Sequence, residues 1–264
     1  MDSGDRPLAL VTGASSGIGL ELARQFAEHG FDLIVAAEDD GIHRAAGELG
    51  NGAQVEAVQV DLGTAEGVHA LYARAQAAGR PLEAAALNAG IGAGGAFVDT
   101  ALEDELALVD LNVRSTVHLA KYVVRDMVGR GEGRILFTSS IASTMPGSFQ
   151  AVYNASKSFV QSFAIALRNE LKDTGVTVTS LMPGPTETEF FERADMLDTK
   201  VGAADKDDPA DVARDGFEAL MNGDERVISA SLSTKLQGRL SRVLPDSAKA
   251  AMHRRMAEPG SGRD

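Results

Sequence analysis

The sequence predicts an α/β fold built on a doubly wound parallel sheet with helices on both faces. Two observations predict it. Apolar runs of strand length alternate with longer stretches of helical periodicity, and the first such run ends in a glycine turn that opens a helix. Strands alternating with helices imply parallel pairing and right-handed crossovers. Ligands of such sheets bind beyond the carboxyl ends of the strands.

In chain order, Leu8–Val11 reads as the first strand, followed by the glycine turn and a helical pattern over Ile18–His29. Gly30 fits the position just past a helix C-terminus, where a left-handed residue is wanted. Leu33–Val35 and Val55–Val60 read as strands two and three, Ala84–Leu87 and Arg134–Thr138 as four and five, and Val176–Leu181 as six. The intervening helical stretches are Gly41–Leu49, Ala65–Ala77, a long one from about Leu102 to Val128, and Ala151–Lys172. After Pro185 the alternation stops. Thr186–Asp208 is polar, charged and weakly periodic, and sits where a mobile lid would cover a site. A helix over Ala210–Met221 and a short strand over Arg226–Ser229 follow, then an amphipathic helical stretch over Lys235–Met256 with Leu236, Leu240, Val243 and Leu244. Residues 1–230 form the expected dinucleotide-binding catalytic domain, with the lid at about 186–208. Residues 231–264 form a helical extension whose last residues, Glu258–Asp264, read as disordered.

Composition narrows the function. The 264 residues, 44 % of them hydrophobic, suit a folded domain with a sizeable core. The absence of cysteine excludes disulfides, thiolate nucleophiles and cysteine-bearing zinc sites. The five histidines show no metal-binding spacing. A formal net charge of −13 disfavours nucleic acid and anionic membranes as partners. Residues 1–7 are unlike a signal peptide and no apolar run approaches a membrane span, so a cytoplasmic enzyme without stable membrane insertion is expected.

The turn Thr12-Gly13-Ala14-Ser15-Ser16-Gly17-Ile18-Gly19 joins strand one to the first helix. Gly13 suits the positive φ of a tight turn, and Gly17 and Gly19 remove side chains where backbone approaches a ligand or the sheet. The helix N-terminus then offers free N–H groups to a pyrophosphate. Thr12 and Ser15 could bond within the turn or reach phosphate oxygens.

Tyr153 and Lys157 stand at i and i+4, hence on one helix face. A cation nearby favours phenolate and lowers a tyrosine pKa from its usual value near 10. Taken alone, that spacing is usually just an amphipathic surface. It gains force from Thr138-Ser139-Ser140 at the end of strand five, thirteen residues before Tyr153. A hydroxyl there can stabilise charge on a substrate oxygen; Ser139 and Ser143 rival Ser140 for the part. Asn88-Ala89-Gly90 closes strand four, and Asn112 falls inside the long helix, a poor place for an amide without a task.

Together these residues resemble the short-chain dehydrogenase/reductase family, in its single-domain, Rossmann-like branch, from Leu8 to about Thr188. The resemblance implies a nicotinamide-dependent oxidoreductase acting on a small-molecule secondary alcohol or ketone. Tyr153 would be the general acid/base. Lys157 would bind the nicotinamide ribose and lower the tyrosine pKa, Ser140 would orient the substrate oxygen, and Asn112 would help hold a water linking Lys157 to solvent. Gly13, Ser15, Ser16, Gly17, Ile18 and Gly19 would cradle the pyrophosphate. Asn88, Ala89 and Gly90 would line the adenosine side, with Asp61 and Leu62 contacting adenine. Pro183, Gly184, Thr186 and Thr188 would hold the carboxamide, Thr186 replacing the commoner valine. Glu38 stands where relatives that prefer NADP often carry arginine, while Ala37 occupies the place of the aspartate that marks NAD; the balance favours NAD, with NADP as the alternative. The resemblance also implies a homo-oligomer, dimer or tetramer. The runner-up reading is a dinucleotide-binding regulator or scaffold with weak chemistry. A nucleotide-sugar lyase or epimerase fits poorly, because only about 75 residues follow Thr188.

Overall fold

The computed structural model describes residues 6–50, 52–229 and 245–263. Seven strands form one parallel sheet in the order β3-β2-β1-β4-β5-β6-β7. They are β1 (Leu8–Thr12), β2 (Asp32–Ala37), β3 (Val55–Gln59), β4 (Leu82–Leu87), β5 (Gly133–Thr138), β6 (Val176–Pro183) and β7 (Arg226–Ser229). β1, β2 and most of β4–β6 are buried at nearly every position, as expected of strands covered on both faces. The strand order reverses between β1 and β4, and the cleft at that switch point holds the candidate site.

The helices are α1 (Gly17–Glu28), α2 (Gly41–Leu49), α3 (Ala65–Ala77), α4 (Leu102–Val109), α5 (Thr116–Arg130), α6 (Ala151–Glu170), the one-turn α7 (Phe190–Arg193) and α8 (Lys200–Ala203), α9 (Pro209–Asn222) and α10 (Asp246–Ala257). α4 and α5 are one continuous helix joined through a π-helical segment, Asp110–Ser115. Gly30 has φ +89° just past α1, as its position predicts. Among the described residues no helix is long and apolar enough to cross a membrane.

Two hydrophobic layers sandwich the sheet. On one face Leu71 of α3, Val123 and Met127 of α5 and Val160 of α6 pack on Ile135 and Phe137. On the other, Leu22 and Phe26 of α1, Ile42 of α2 and Phe217 of α9 pack on Val11 and Val35. Phe26 meets Phe31 and Phe217 edge-on at 5.2 and 5.1 Å between ring centroids. That geometry adds about 0.5–1.5 kcal/mol per pair to the burial itself.

The segment between β6 and α9 is closed at its base by a bridge between Thr186 and Asp207. A third apolar cluster forms above the sheet, where Phe191, Ala194 and Met196 meet Ala257 of α10. The chain end is held as well. Gly260 N donates to the Asp198 carboxylate at 2.8 Å, Gly262 N to Asp198 O at 2.8 Å, and Lys200 N to Ser261 Oγ at 3.1 Å. The disorder expected over Glu258–Asp264 is therefore corrected through Arg263: backbone amides there find acceptors on the 186–208 segment. Leu236, Leu240, Val243 and Leu244, the apolar positions of the expected tail helix, lie outside the described residues.

Candidate active site

Three strand ends are stitched together below the cleft. The Thr12 side chain turns inward, and its Oγ1 accepts from Asn88 N and Ala89 N, both at 3.0 Å. The Asn88 amide donates to Thr12 O at 3.1 Å and accepts from Thr138 Oγ1 at 3.0 Å. This fixes β1, β4 and β5 relative to one another and resolves the choice left open for Thr12, which serves the scaffold. Thr12→Val keeps the shape and strips two buried amides of their acceptor, so we expect a loss of about 2 kcal/mol of stability. A denaturant titration measures it, and an unchanged midpoint refutes it.

Above this floor lies a cavity of about 920 Å³. Its wall contains Gly13, Ser15, Ser16, Gly17, Ile18 and Gly19 from the glycine turn, Glu38 after β2, Leu62, and Asn88, Ala89 and Gly90 after β4. Pro183, Gly184, Thr186 and Thr188 close it on the β6 side. Two of the expected residues are off the wall. The Asp61 carboxylate turns back to accept from Gly63 N at 2.8 Å, and Asn112 is buried behind Gly90.

The glycine turn fits an extended phosphate-bearing ligand. Gly13 and Gly17 have φ of +66° and +55°. A Cβ on Gly13 would stand 2.9 Å from Ala89 Cα, and one on Gly17 2.9 Å from the Thr188 methyl. Ser16 precedes α1 in an extended conformation without a side-chain cap bond. The first-turn amides of α1 thus keep their donors for a ligand, at the positive end of the helix dipole. Ser15 is not free in the same way: its hydroxyl donates to Asp39 Oδ2 at 2.7 Å, while Asp39 Oδ1 accepts from Gly41 N at 3.0 Å. Asp39 lines the cavity beside the exposed Glu38, so this end of the cleft carries two carboxylates.

Tyr153 and Lys157 share the buried face of α6 and both border the cavity. Lys157 Nζ donates to Thr138 O at 3.0 Å and lies 6.0 Å from the centre of the Tyr153 ring. Burial governs both groups. It pushes the phenol up to about 12, against which a hydrogen bond with Ser140 works downward, and it pulls the ammonium down to about 8. In the protein without coenzyme, burial is the larger influence on the phenol and Ser140 the opposing one, with Lys157 Nζ 6.0 Å from the ring centre.

The three serines differ in what each hydroxyl does, although Ser139 and Ser140 both border the cavity. Ser139 Oγ donates to Lys157 O at 3.0 Å and is buried. Ser143 Oγ is sealed away without a partner among the described residues and is not on the cavity wall. Ser140 caps a short 3₁₀ turn by accepting from Ala142 N at 3.1 Å and faces Tyr153. Asn112 occupies the π-helical segment, where the widened turn suits its side chain. Its amide accepts from Ile91 N and donates to Ile91 O, both at 2.9 Å, and donates to Ser156 Oγ at 3.1 Å. It therefore clamps the Gly90–Ile91 chain beside Lys157.

Farther out the walls are more apolar. Phe190 places its ring 5.2 Å from that of Tyr153. Met145 and Val201 line the same region, joined by His253 and Met256 of α10. Phe190 lies in the 186–208 segment expected to cover the site. No sequence signal marked His253 or Met256, which stand on a helix that buries little else than His253 and Ala257.

Known proteins share this fold. The family described as short chain dehydrogenase matches residues 7–196. The oxidoreductase UcpA of Salmonella typhimurium is 32 % identical over 216 residues, covering 80 % of this chain and 79 % of its own length. The structure of a short-chain dehydrogenase from Sphingobium yanoikuyae in complex with NADPH superposes with a TM-score of 0.79 at 28 % identity, covering 90 % of this chain and 96 % of that one. A short chain dehydrogenase/reductase from Burkholderia phymatum in complex with NAD reaches 0.81 at 25 % identity, covering 91 % and 94 %.

Proposed function

Because the chain belongs to the short-chain dehydrogenase/reductase family, we propose that it is an NAD(P)-dependent oxidoreductase that interconverts a secondary alcohol and a ketone, with Tyr153 as general acid/base. The observation that carries the reading is the meeting of the buried Tyr153 phenol and Lys157 with Ser140 on the wall of a cleft whose other end is the glycine turn. The relatives bound to NADPH and NAD support the cofactor class.

The nicotinamide coenzyme supplies or accepts the hydride at the substrate carbon. Everything else is the work of this chain. The glycine turn and the open N-terminus of α1 hold the pyrophosphate, and Pro183, Gly184, Thr186 and Thr188 hold the nicotinamide end. Ser140 donates to the substrate oxygen and stabilises charge developing there. A phenol held near 12 keeps its proton at neutral pH, so Tyr153 stands ready to protonate the oxygen of a ketone during reduction. For oxidation it must first lose that proton, which the Ser140 hydrogen bond assists. Lys157 supports the coenzyme ribose, and Asn112 keeps the Gly90–Ile91 backbone in place beside it. The 186–208 segment closes over the bound pair as a lid. The direct test follows absorbance of the reduced nicotinamide over a ketone and alcohol panel with each coenzyme. Tight coenzyme binding without turnover of any member would return the chain to the regulator reading.

Glu38 and Asp39 place two carboxylates where the adenosine ribose would rest, and a 2′-phosphate would meet them on the cavity wall, while Arg44 stands outside it beside Gly41. NAD is therefore the preferred coenzyme. Glu38→Arg should shift the NADP-to-NAD ratio of kcat/KM by about tenfold or more toward NADP, a change of about 1.4 kcal/mol. An unaltered ratio in steady-state kinetics refutes the assignment. The apolar Leu102, Leu106 and Val109 of α4 and Phe159 of α6 are exposed, which supports assembly with further copies of the chain.

A further inference from the structure

The C-terminal helix does more than cover the lid. Ser148, five residues before Tyr153, exchanges two hydrogen bonds with α10: its hydroxyl donates to Ala250 O at 3.0 Å, and His253 Nδ1 lies 2.9 Å from Ser148 O. A carbonyl oxygen only accepts, so Nδ1 carries the proton and Nε2 of the neutral ring is a bare acceptor. His253 is 94 % buried, since its relative exposure is 6 %, yet it borders the cavity. Its Nε2 has no hydrogen-bond partner among the described residues and is not among the sealed, unpartnered atoms. Burial lowers the imidazole pKa and keeps the ring neutral. An acceptor on a residue that is nine-tenths buried and borders the cavity, held in one tautomer by the Nδ1 bond, is half of a hydrogen bond.

We propose that His253 is a specificity-determining residue whose Nε2 accepts a hydrogen bond from a hydroxyl on the substrate, in addition to the oxygen handled by Tyr153 and Ser140. The substrate class is then neutral ketones and secondary alcohols that carry a second hydroxyl, with carbon atoms running between it and the reacting centre along Phe190, Met145 and Met256. The charges around the cavity point the same way. Asp99, Asp104 and Asp195 border it, and Arg193, which also borders it, is paired with Glu189 at 2.5 Å. An anionic substrate would face the carboxylates, and a hydroxyl meets the imidazole without that penalty.

The inference rests on the oxidoreductase reading, and the experiment separates the two. Hydroxyacetone, 4-hydroxybutan-2-one and 5-hydroxypentan-2-one are each compared with the parent ketone lacking the hydroxyl, at saturating coenzyme. Wild-type protein should favour at least one hydroxyketone by about tenfold or more in kcat/KM. His253→Asn keeps an amide N–H for Ser148 O and removes the acceptor; it should bring that preference near unity and leave coenzyme affinity and the parent-ketone rate within about twofold. His253→Gln carries an oxygen near the place of Nε2 but gives up the Ser148 bond; it should keep the preference and melt lower. A structural role alone would make both variants lose all six substrates together. That result, or a preference unchanged in His253→Asn, or none in wild type, overturns the proposal. Turnover of none of the six by wild type overturns the carbonyl-reductase reading itself, and this inference with it.

Discussion

Tyr153→Phe should reduce turnover by about a thousandfold or more while leaving coenzyme affinity within a few fold. The substitution removes one oxygen from a side chain that is already buried against Phe190 and the α6 face, so packing is conserved. What disappears is the phenol hydroxyl that shares the cavity wall with Ser140. General acid–base transfer contributes about 10²–10⁴ in rate, and here the loss of the donor also leaves Ser140 to face the developing charge alone. Stopped-flow measurement of the hydride step, paired with a fluorescence titration of coenzyme, separates chemistry from binding. If the variant turns over at the wild-type rate, some other group moves the proton and the assignment fails.

Gly19→Ala should damage both the fold and the coenzyme cradle with a single methyl group. A Cβ at that position would stand 1.9 Å from Gly13 O and 2.6 Å from the Asn88 amide nitrogen. Neither neighbour is the loose end of a flexible side chain. Gly13 belongs to the tight turn, and Asn88 is committed to Thr12 and Thr138. Relief requires α1 to lift from the ends of β1 and β4, which spoils the packing of Leu22 and Phe26 as well as the geometry of the phosphate cradle. We expect a stability loss of about 3 kcal/mol and a weakening of coenzyme binding by at least about a hundredfold, or 2.7 kcal/mol. Thermal melts with and without coenzyme report both, and a variant that melts and binds like wild type would show that the turn tolerates the shift.

How much of this could be read from the sequence depends on what each residue's signal was made of. Gly41–Leu49, Ala65–Ala77 and Arg226–Ser229 appear with the expected bounds, the second of them opened by the Thr64 cap on Gly67 N. β4 begins two residues earlier than expected, at Leu82, since Leu82 is buried with the run that follows Glu83. The motif residues converge on one cavity because they sit at the ends of parallel strands, where topology alone brings distant positions together. Asn112 announced itself by being out of place, although the π-helical segment that accommodates it leaves no mark in an apolar pattern. Tyr153 and Lys157 share one face of α6, as their spacing implies, but spacing along a helix could not reveal how deeply both are buried. The tail was least legible. Its hold on the lid is made by backbone amides of Gly260 and Gly262, which have no side-chain signature, and His253 is one imidazole in a polar stretch.

The π-helical segment at Asp110–Ser115 also sets the phase of everything before it. A π turn is one residue longer than an α turn, and one residue corresponds to about 100° of rotation around a helix axis. Deleting a single residue such as Val113 would give a more regular hydrogen-bond ladder from Leu102 to Arg130. It would also swing α4 around its axis, carrying Leu108 out of the core and Glu105 away from Thr100, its partner at 2.8 Å. The helix thus works as two cams keyed to one shaft, one turned toward the sheet and the other toward the mouth of the cleft. Single-residue deletions should be tolerated worse here than substitutions, because no side-chain change can restore an angle.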